Sequence, residues 1–133
     1  MPKKILVVDD EPNMLRLIAV RLKVNNYDVI TASDGLYAVK KAHEEKPDLI
    51  ILDIKIPVGG GIGVFENLRM TTDTMLIPII FITAHPSEEI RRRVLEMGAE
   101  DFIAKPFDAD ELLAKVRKAL GEDIEKDQAQ QSK

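Results

Sequence analysis

Cysteine is absent from this chain of 133 residues, so neither a disulfide framework nor a thiolate metal site is available, and thiol usage says nothing of redox compartment. Long apolar runs are missing too. The N-terminus, MPKKILVVDD, places four apolar residues between two lysines and two acids, far short of a signal peptide's apolar region or a membrane span. A soluble, cytoplasmic protein with no membrane partner is expected. Positive charge is not in excess: a formal net charge of -4 argues against a nucleic acid as the main partner. Neither G-x-G-x-x-G nor G-x-x-x-x-G-K-[ST] occurs, which disfavours a nucleotide loop.

At this length the chain fits one domain, and such a domain buries roughly two-thirds of the surface its unfolded chain exposes. With 45% hydrophobic residues, the material for a core is present. Apolar runs of strand length recur at residues 5–8, 27–32, 49–52, 77–82 and 102–104. Between them apolar residues take helical spacing: Leu15, Ile18 and Leu22, then Val64, Phe65 and Leu68, then Ile90, Val94 and Met97, and finally Leu112, Leu113, Val116 and Leu120. The alternation reads as five β-α units, which require a parallel sheet with helices on both faces. The first, third and fourth runs are almost continuously apolar, as doubly covered strands are. The second alternates Tyr27, Val29 and Thr31 against Asp28 and Ile30, and the fifth is short. Those two therefore belong at the edges, which suits an α/β, flavodoxin-like doubly wound five-stranded parallel sheet of order 2-1-3-4-5 with five helices. Pro12 in a first turn, Pro86-Ser87-Glu88-Glu89, and Asp108 with Glu111 as a capping box mark helix starts. Residues 1–121 form the expected domain, and 122–133 lose the periodicity and read as a polar tail or the start of a linker.

In such a fold ligands bind beyond the carboxyl ends of the strands. The residues there are Asp9 and Asp10 after the first run, Asp53 after the third, Thr83 after the fourth and Lys105 after the fifth. Singly, each has an ordinary use: Asp10 as a helix cap, Asp53 as a turn former ahead of Pro57, Thr83 as a strand residue, Lys105 as a solvated cation. Together they do not. At an effective dielectric of about 20, a pair of carboxylates about 4 Å apart costs on the order of 4 kcal/mol, and a lysine offsets only part of it. The cluster calls for a cation. Oxygen donors without cysteine favour a hard ion, Mg²⁺ with Mn²⁺ as its substitute, over zinc or copper. Such an ion, with a lysine and a hydroxyl opposite, is equipment for handling a phosphoryl group.

ILVVDDE, LIILDIKIP, IIFITA and DFIAKPF, in this order and spacing, resemble the receiver domain of two-component response regulators over residues 3–120, with the chemotaxis-type single-domain receivers as the likeness. The resemblance implies that Asp53 is the phosphoacceptor, that Asp10 and Asp53 ligate Mg²⁺ with the backbone carbonyl of Lys55, and that Asp9 acts through a metal-bound water. It implies that Lys105 and Thr83 bind the phosphoryl oxygens and that the Lys105-Pro106 peptide is cis. The implied donor is a phosphohistidine of a sensor histidine kinase or histidine phosphotransfer protein. The chain then takes up the phosphoryl group and loses it slowly, without turnover as an enzyme. Thr83 and Phe102 become switch residues; Phe102 stands where tyrosine is common, keeping the steric half of the switch and lacking the hydroxyl. The switched surface is expected over residues 86–120. Lys55 and His85, two residues after Asp53 and Thr83, stand where the family tunes acyl-phosphate hydrolysis.

Gly59, Gly60, Gly61 and Gly63 read as a flexible loop with a weakly started third helix. His43 reads as a surface residue, and Arg91-Arg92-Arg93 as a solvated helix face or, less favoured, a partner patch. Two rival readings stand beside the receiver. A haloacid-dehalogenase-type phosphatase places an acid two residues after its nucleophile, where this chain has Lys55. A phosphorylation-independent binding module would not need all five site residues. The downstream partner, or a missing output domain, is not named by the sequence, and a monomer or weak homodimer is expected.

Overall fold

The computed structural model of the chain describes residues 2–122. Among these, strands and helices alternate as β1 (Lys4–Val8), α1 (Pro12–Val24), β2 (Asp28–Ala32), α2 (Gly35–Glu45), β3 (Leu49–Asp53), α3 (Gly60–Leu68), β4 (Ile79–Thr83), α4 (Glu88–Glu96), β5 (Asp101–Ala104) and α5 (Ala109–Ala119). All neighbouring strands are parallel, in the order β2-β1-β3-β4-β5. Every residue of β3 and β4 is buried, the four apolar residues of each and the Asp53 or Thr83 that ends it.

Period-two alternation of the strands sends successive side chains to opposite faces and divides the core in two. Leu6, Val8, Ile50, Leu52, Ile79 and Phe81 pack under α2, α3 and α4. Ile5, Val7, Leu49, Ile51, Ile80 and Ile82 pack under α1 and α5. At the β2 edge, Asp28 and Thr31 are exposed while Val29 and Ile30 are both half-buried. The expected alternation of Tyr27, Val29 and Thr31 against Asp28 and Ile30 is therefore not followed, because helices cover both faces of this edge strand: Val29 joins one core and Ile30 the other.

Strand bounds differ from the apolar runs in a consistent direction. Tyr27 and Ile77 are buried but precede their strands, since an apolar run reports burial rather than ladder hydrogen bonding. Pro78, which has no N–H to donate, precedes β4. At the other end, Asp53 and Thr83 are the last residues of β3 and β4.

Pro12 lies in the first turn of α1, and Glu11 rather than Asp10 occupies its N-cap, with no side-chain cap bond. Ser87 Oγ accepts from the Ile90 amide to cap α4. Asp108 accepts from the Glu111 amide at 2.7 Å. Only half of the expected capping box forms, because the Glu111 carboxylate faces Lys115, 3.8 Å away. Gly59 caps α3 without a side-chain bond, the weak start expected. After α5, the Tyr27 hydroxyl donates to Glu122 at 2.7 Å, so Glu122 is tied to the domain. The remainder of the expected tail, 123–133, lies outside the described residues. No helix among the described residues is long and apolar enough to cross a membrane.

Candidate functional site

Parallel strands all point their carboxyl ends the same way, so the central pair β1 and β3 deliver Asp9 and Asp53 to one place. Asp9 is fully buried: its Oδ1 accepts from the Glu11 amide at 2.9 Å, and its Oδ2 from Lys105 Nζ at 2.7 Å. Asp53 is 5% exposed; its Oδ1 accepts from the Lys55 amide at 3.0 Å and its Oδ2 from Lys105 Nζ at 2.8 Å. Lys105 thus bridges two carboxylates 44 residues apart in sequence. It is held in place by its own amide, which donates to the Thr83 carbonyl, and it precedes a cis bond to Pro106, as the family resemblance implied. Asp10 is exposed at the rim.

One carboxylate oxygen from each of Asp9, Asp10 and Asp53 lies within 4.8 Å of the other two. Burial pushes the Asp53 carboxyl up, with Asp9 adding to the effect, against the opposing pull of Lys105 and the Lys55 amide. Burial alone would lower the Lys105 ammonium, yet its hydrogen bonds to Asp53 and Asp9 hold it above its ordinary value, so it stays charged. Among the described residues one ammonium, bonded to two of the three carboxylates, leaves the site short of positive charge. The donor set is all oxygen, mixed buried and exposed, and it fits a small hard divalent ion that keeps some of its waters.

Thr83, 2% exposed, stands at the neighbouring strand end, and its Oγ1 accepts from the His85 amide at 3.0 Å. The contact shown for Lys55 is its amide on Asp53; the His85 side chain is exposed. Phe102 is 7% exposed and packs in the core beneath α4, beside Phe81 in the strand register. Arg91, Arg92 and Arg93 are exposed, with Arg91 paired to Glu88. His43, on α2, lies at the surface as read, and its Nδ1 is 3.1 Å from Asp73 Oδ2, tying α2 to the loop after α3. The flexible reading of the glycines fails at Gly61, where a Cβ would overlap the Asp53 carbonyl oxygen. Sequence reading also missed Glu11, whose amide orients Asp9; the only sequence signal for it is its place directly after the paired acids.

A family model described as the response regulator receiver domain matches residues 5–117. The chain is 47% identical over 120 residues to the alkaline phosphatase synthesis transcriptional regulatory protein PhoP of Bacillus subtilis strain 168, covering 90% of this chain and 49% of that protein. It spans about half the length of the curated relatives it matches. Among solved structures, the BeF3-activated N-terminal receiver domain of Klebsiella pneumoniae RstA is 36% identical with a TM-score of 0.82, over 88% of this chain and 97% of that one. The receiver domain of the sensor histidine kinase PA1611 of Pseudomonas aeruginosa PAO1, with a magnesium ion coordinated in its active site cleft, is 30% identical with a TM-score of 0.83, over 91% of this chain and 99% of that one. With the family model matched from β1 into α5 and a relative 47% identical over 120 residues, the chain belongs to the response regulator receiver domains of two-component systems.

Proposed function

We propose that Asp53 accepts a phosphoryl group from a phosphohistidine of a sensor histidine kinase or histidine phosphotransfer protein, and that the surface of α4, β5 and α5 responds and controls a partner or output domain. The observation that carries this reading is the Asp53 carboxylate, fixed at the end of a buried strand by Lys105 and the Lys55 amide beside the oxygens of Asp9 and Asp10. Strand-end rigidity is what a nucleophile needs for a near-attack geometry. In the step, an Asp53 carboxylate oxygen bonds to phosphorus while the phosphorus–nitrogen bond to imidazole breaks, and its electron pair stays on the imidazole. The donor brings the leaving group, so the domain needs no general acid.

Lys105 Nζ exchanges its bond to Asp53 Oδ2 for one to a phosphoryl oxygen while keeping Asp9. Thr83 Oγ1 already accepts from the His85 amide, which leaves its hydroxyl proton free to donate to the phosphoryl group. Asp9, Asp10 and Asp53, with the Lys55 carbonyl, are the residues that would hold Mg²⁺, which when bound neutralises charge developing in the transfer. The magnesium ion in PA1611 and the BeF3-activated state of RstA support the reading by likeness. The phosphoryl group then remains on Asp53 until it hydrolyses, at a rate tuned from Lys55 and His85, and no second substrate is turned over. Phe102, already buried here, has no hydroxyl to draw it outward, so the response passes through its packing alone. A kinase partner of this kind places the domain in the cytoplasm.

Intact-protein mass after incubation with acetyl phosphate tests the proposal. A single phosphoryl adduct that requires Mg²⁺ and is lost in Asp53→Asn is expected; an adduct indifferent to Asp53, or none, would favour a binding module that works without phosphorylation.

A further inference from the structure

The loop between β3 and α3, residues 54–59, carries Lys55 and is held by backbone contacts from two helices. Gly35, the first residue of α2, donates its amide to the Pro57 carbonyl at 2.8 Å, and a Cβ there would overlap the Val58 carbonyl oxygen. Gly61, in the first turn of α3, donates to the Ile54 carbonyl at 2.8 Å, and a Cβ there would overlap the Asp53 carbonyl oxygen. Both obstacles are main-chain atoms, which cannot swing aside as the end of a side chain can. Between the two clasps, Ile56 is 7% exposed and anchored in the core. Val58 adds an independent sign that the loop is held. Its φ is +58°, a conformation a β-branched residue takes only under constraint, and the residue is 60% exposed and gains little packing in return. The constraint comes from the flanking backbone, where Pro57 is bound to Gly35.

We propose that Gly35 and Gly61 are positioning residues for the Asp53 reaction: they let α2 and α3 close on the loop so that the Lys55 amide stays on Asp53 Oδ1. The role in reaction rests on the function proposed above; the role in holding Lys55 does not. Any side chain at either position moves the loop, loosens the Lys55 amide and takes the Lys55 carbonyl with it.

Native-state amide exchange on the wild-type protein is the first test. The amides of Gly35, Gly61 and Lys55 are expected to share one protection level; a Lys55 amide that exchanges freely while both glycine amides stay protected would overturn the proposal. In Gly35→Ala, Lys55 protection is expected to fall roughly tenfold relative to β1 amides, and the Mg²⁺ concentration for half-maximal uptake from acetyl phosphate to rise several-fold. Gly63→Ala, where an added Cβ meets nothing within 4 Å, is expected to change neither. A purely structural glycine would lower the melting temperature of Gly35→Ala and leave Lys55 protection and the Mg²⁺ midpoint untouched, which contradicts the proposal. Should the alanine variant not fold, the wild-type exchange decides. Should the wild type take up no phosphoryl group, the function proposed above fails, and Lys55 exchange still decides the positioning.

Discussion

Lys105 donates to Asp9 Oδ2 and Asp53 Oδ2 from a side chain 8% exposed, and neither carboxylate has another cationic partner among the described residues. Removing one member of a buried ionic group leaves the rest uncompensated and costs about 3 kcal/mol or more. Lys105→Met is therefore expected to lower the free energy of unfolding, read from urea denaturation in chelator, by about 3 kcal/mol and so shift the midpoint down, and millimolar Mg²⁺ to restore part of it. An unchanged midpoint would mean the acids relax into solvent. At this scale the sequence was legible in position: asking what comes directly after the first, third, fourth and fifth apolar runs points to Asp9, Asp53, Thr83 and Lys105, which the structure places at neighbouring strand ends. The partner of His43 was not legible, because Asp73 lies 30 residues on in a loop whose path no local pattern specifies. The glycine clasp was hidden for the same reason: a close approach to another segment's backbone leaves no mark except the missing side chain.

Helices here are bounded by local chemistry, and the starts of α1, α4 and α5 were legible from it. Ser87 and Asp108 each accept from the amide three residues on, so Ser87→Ala should lower stability by about 1 kcal/mol, measured by urea denaturation. Gly63 lies inside α3 with open space around it, and Gly63→Ala should raise stability by roughly 0.5–1 kcal/mol through helix propensity alone. A loss at position 63 would show that α3 needs the freedom of its glycines beyond the clasp at Gly61. β2 was read as an edge strand and is one, but its exposure does not follow period two, because α1 and α2 cover both faces of this edge.

Over the whole molecule, the strand order was legible because central parallel strands must be apolar on both faces and edge strands need not be. The closure of α5 onto the opposite edge was not. The Tyr27 hydroxyl donates to Glu122 across 95 residues, and Arg117 donates to Asn25 at 3.2 Å beside it. Burial, reinforced by the Glu122 carboxylate, pushes the Tyr27 hydroxyl from 10.0 up to about 12, with Arg117 opposing. Because the folded value lies above the unfolded one, this contribution to stability is complete below pH 10 and is lost as pH rises toward 12. Tyr27→Phe should be less stable than wild type by about 1 kcal/mol at neutral pH, as for a typical hydrogen bond. That margin should shrink between pH 10 and pH 12 in denaturant titrations; a margin constant with pH would place the hydroxyl outside the folded contact.

Borohydride trapping after acetyl phosphate and Mg²⁺, followed by peptide mapping, tests the central claim most directly, because it reduces an aspartyl phosphate to homoserine at the residue that carried it. Homoserine at position 53 alone, absent when Mg²⁺ is chelated, is the predicted result. Homoserine at Asp9 or Asp10, or an unmodified position 53 in a protein that had gained a phosphoryl mass, would contradict the assignment of Asp53 as the acceptor.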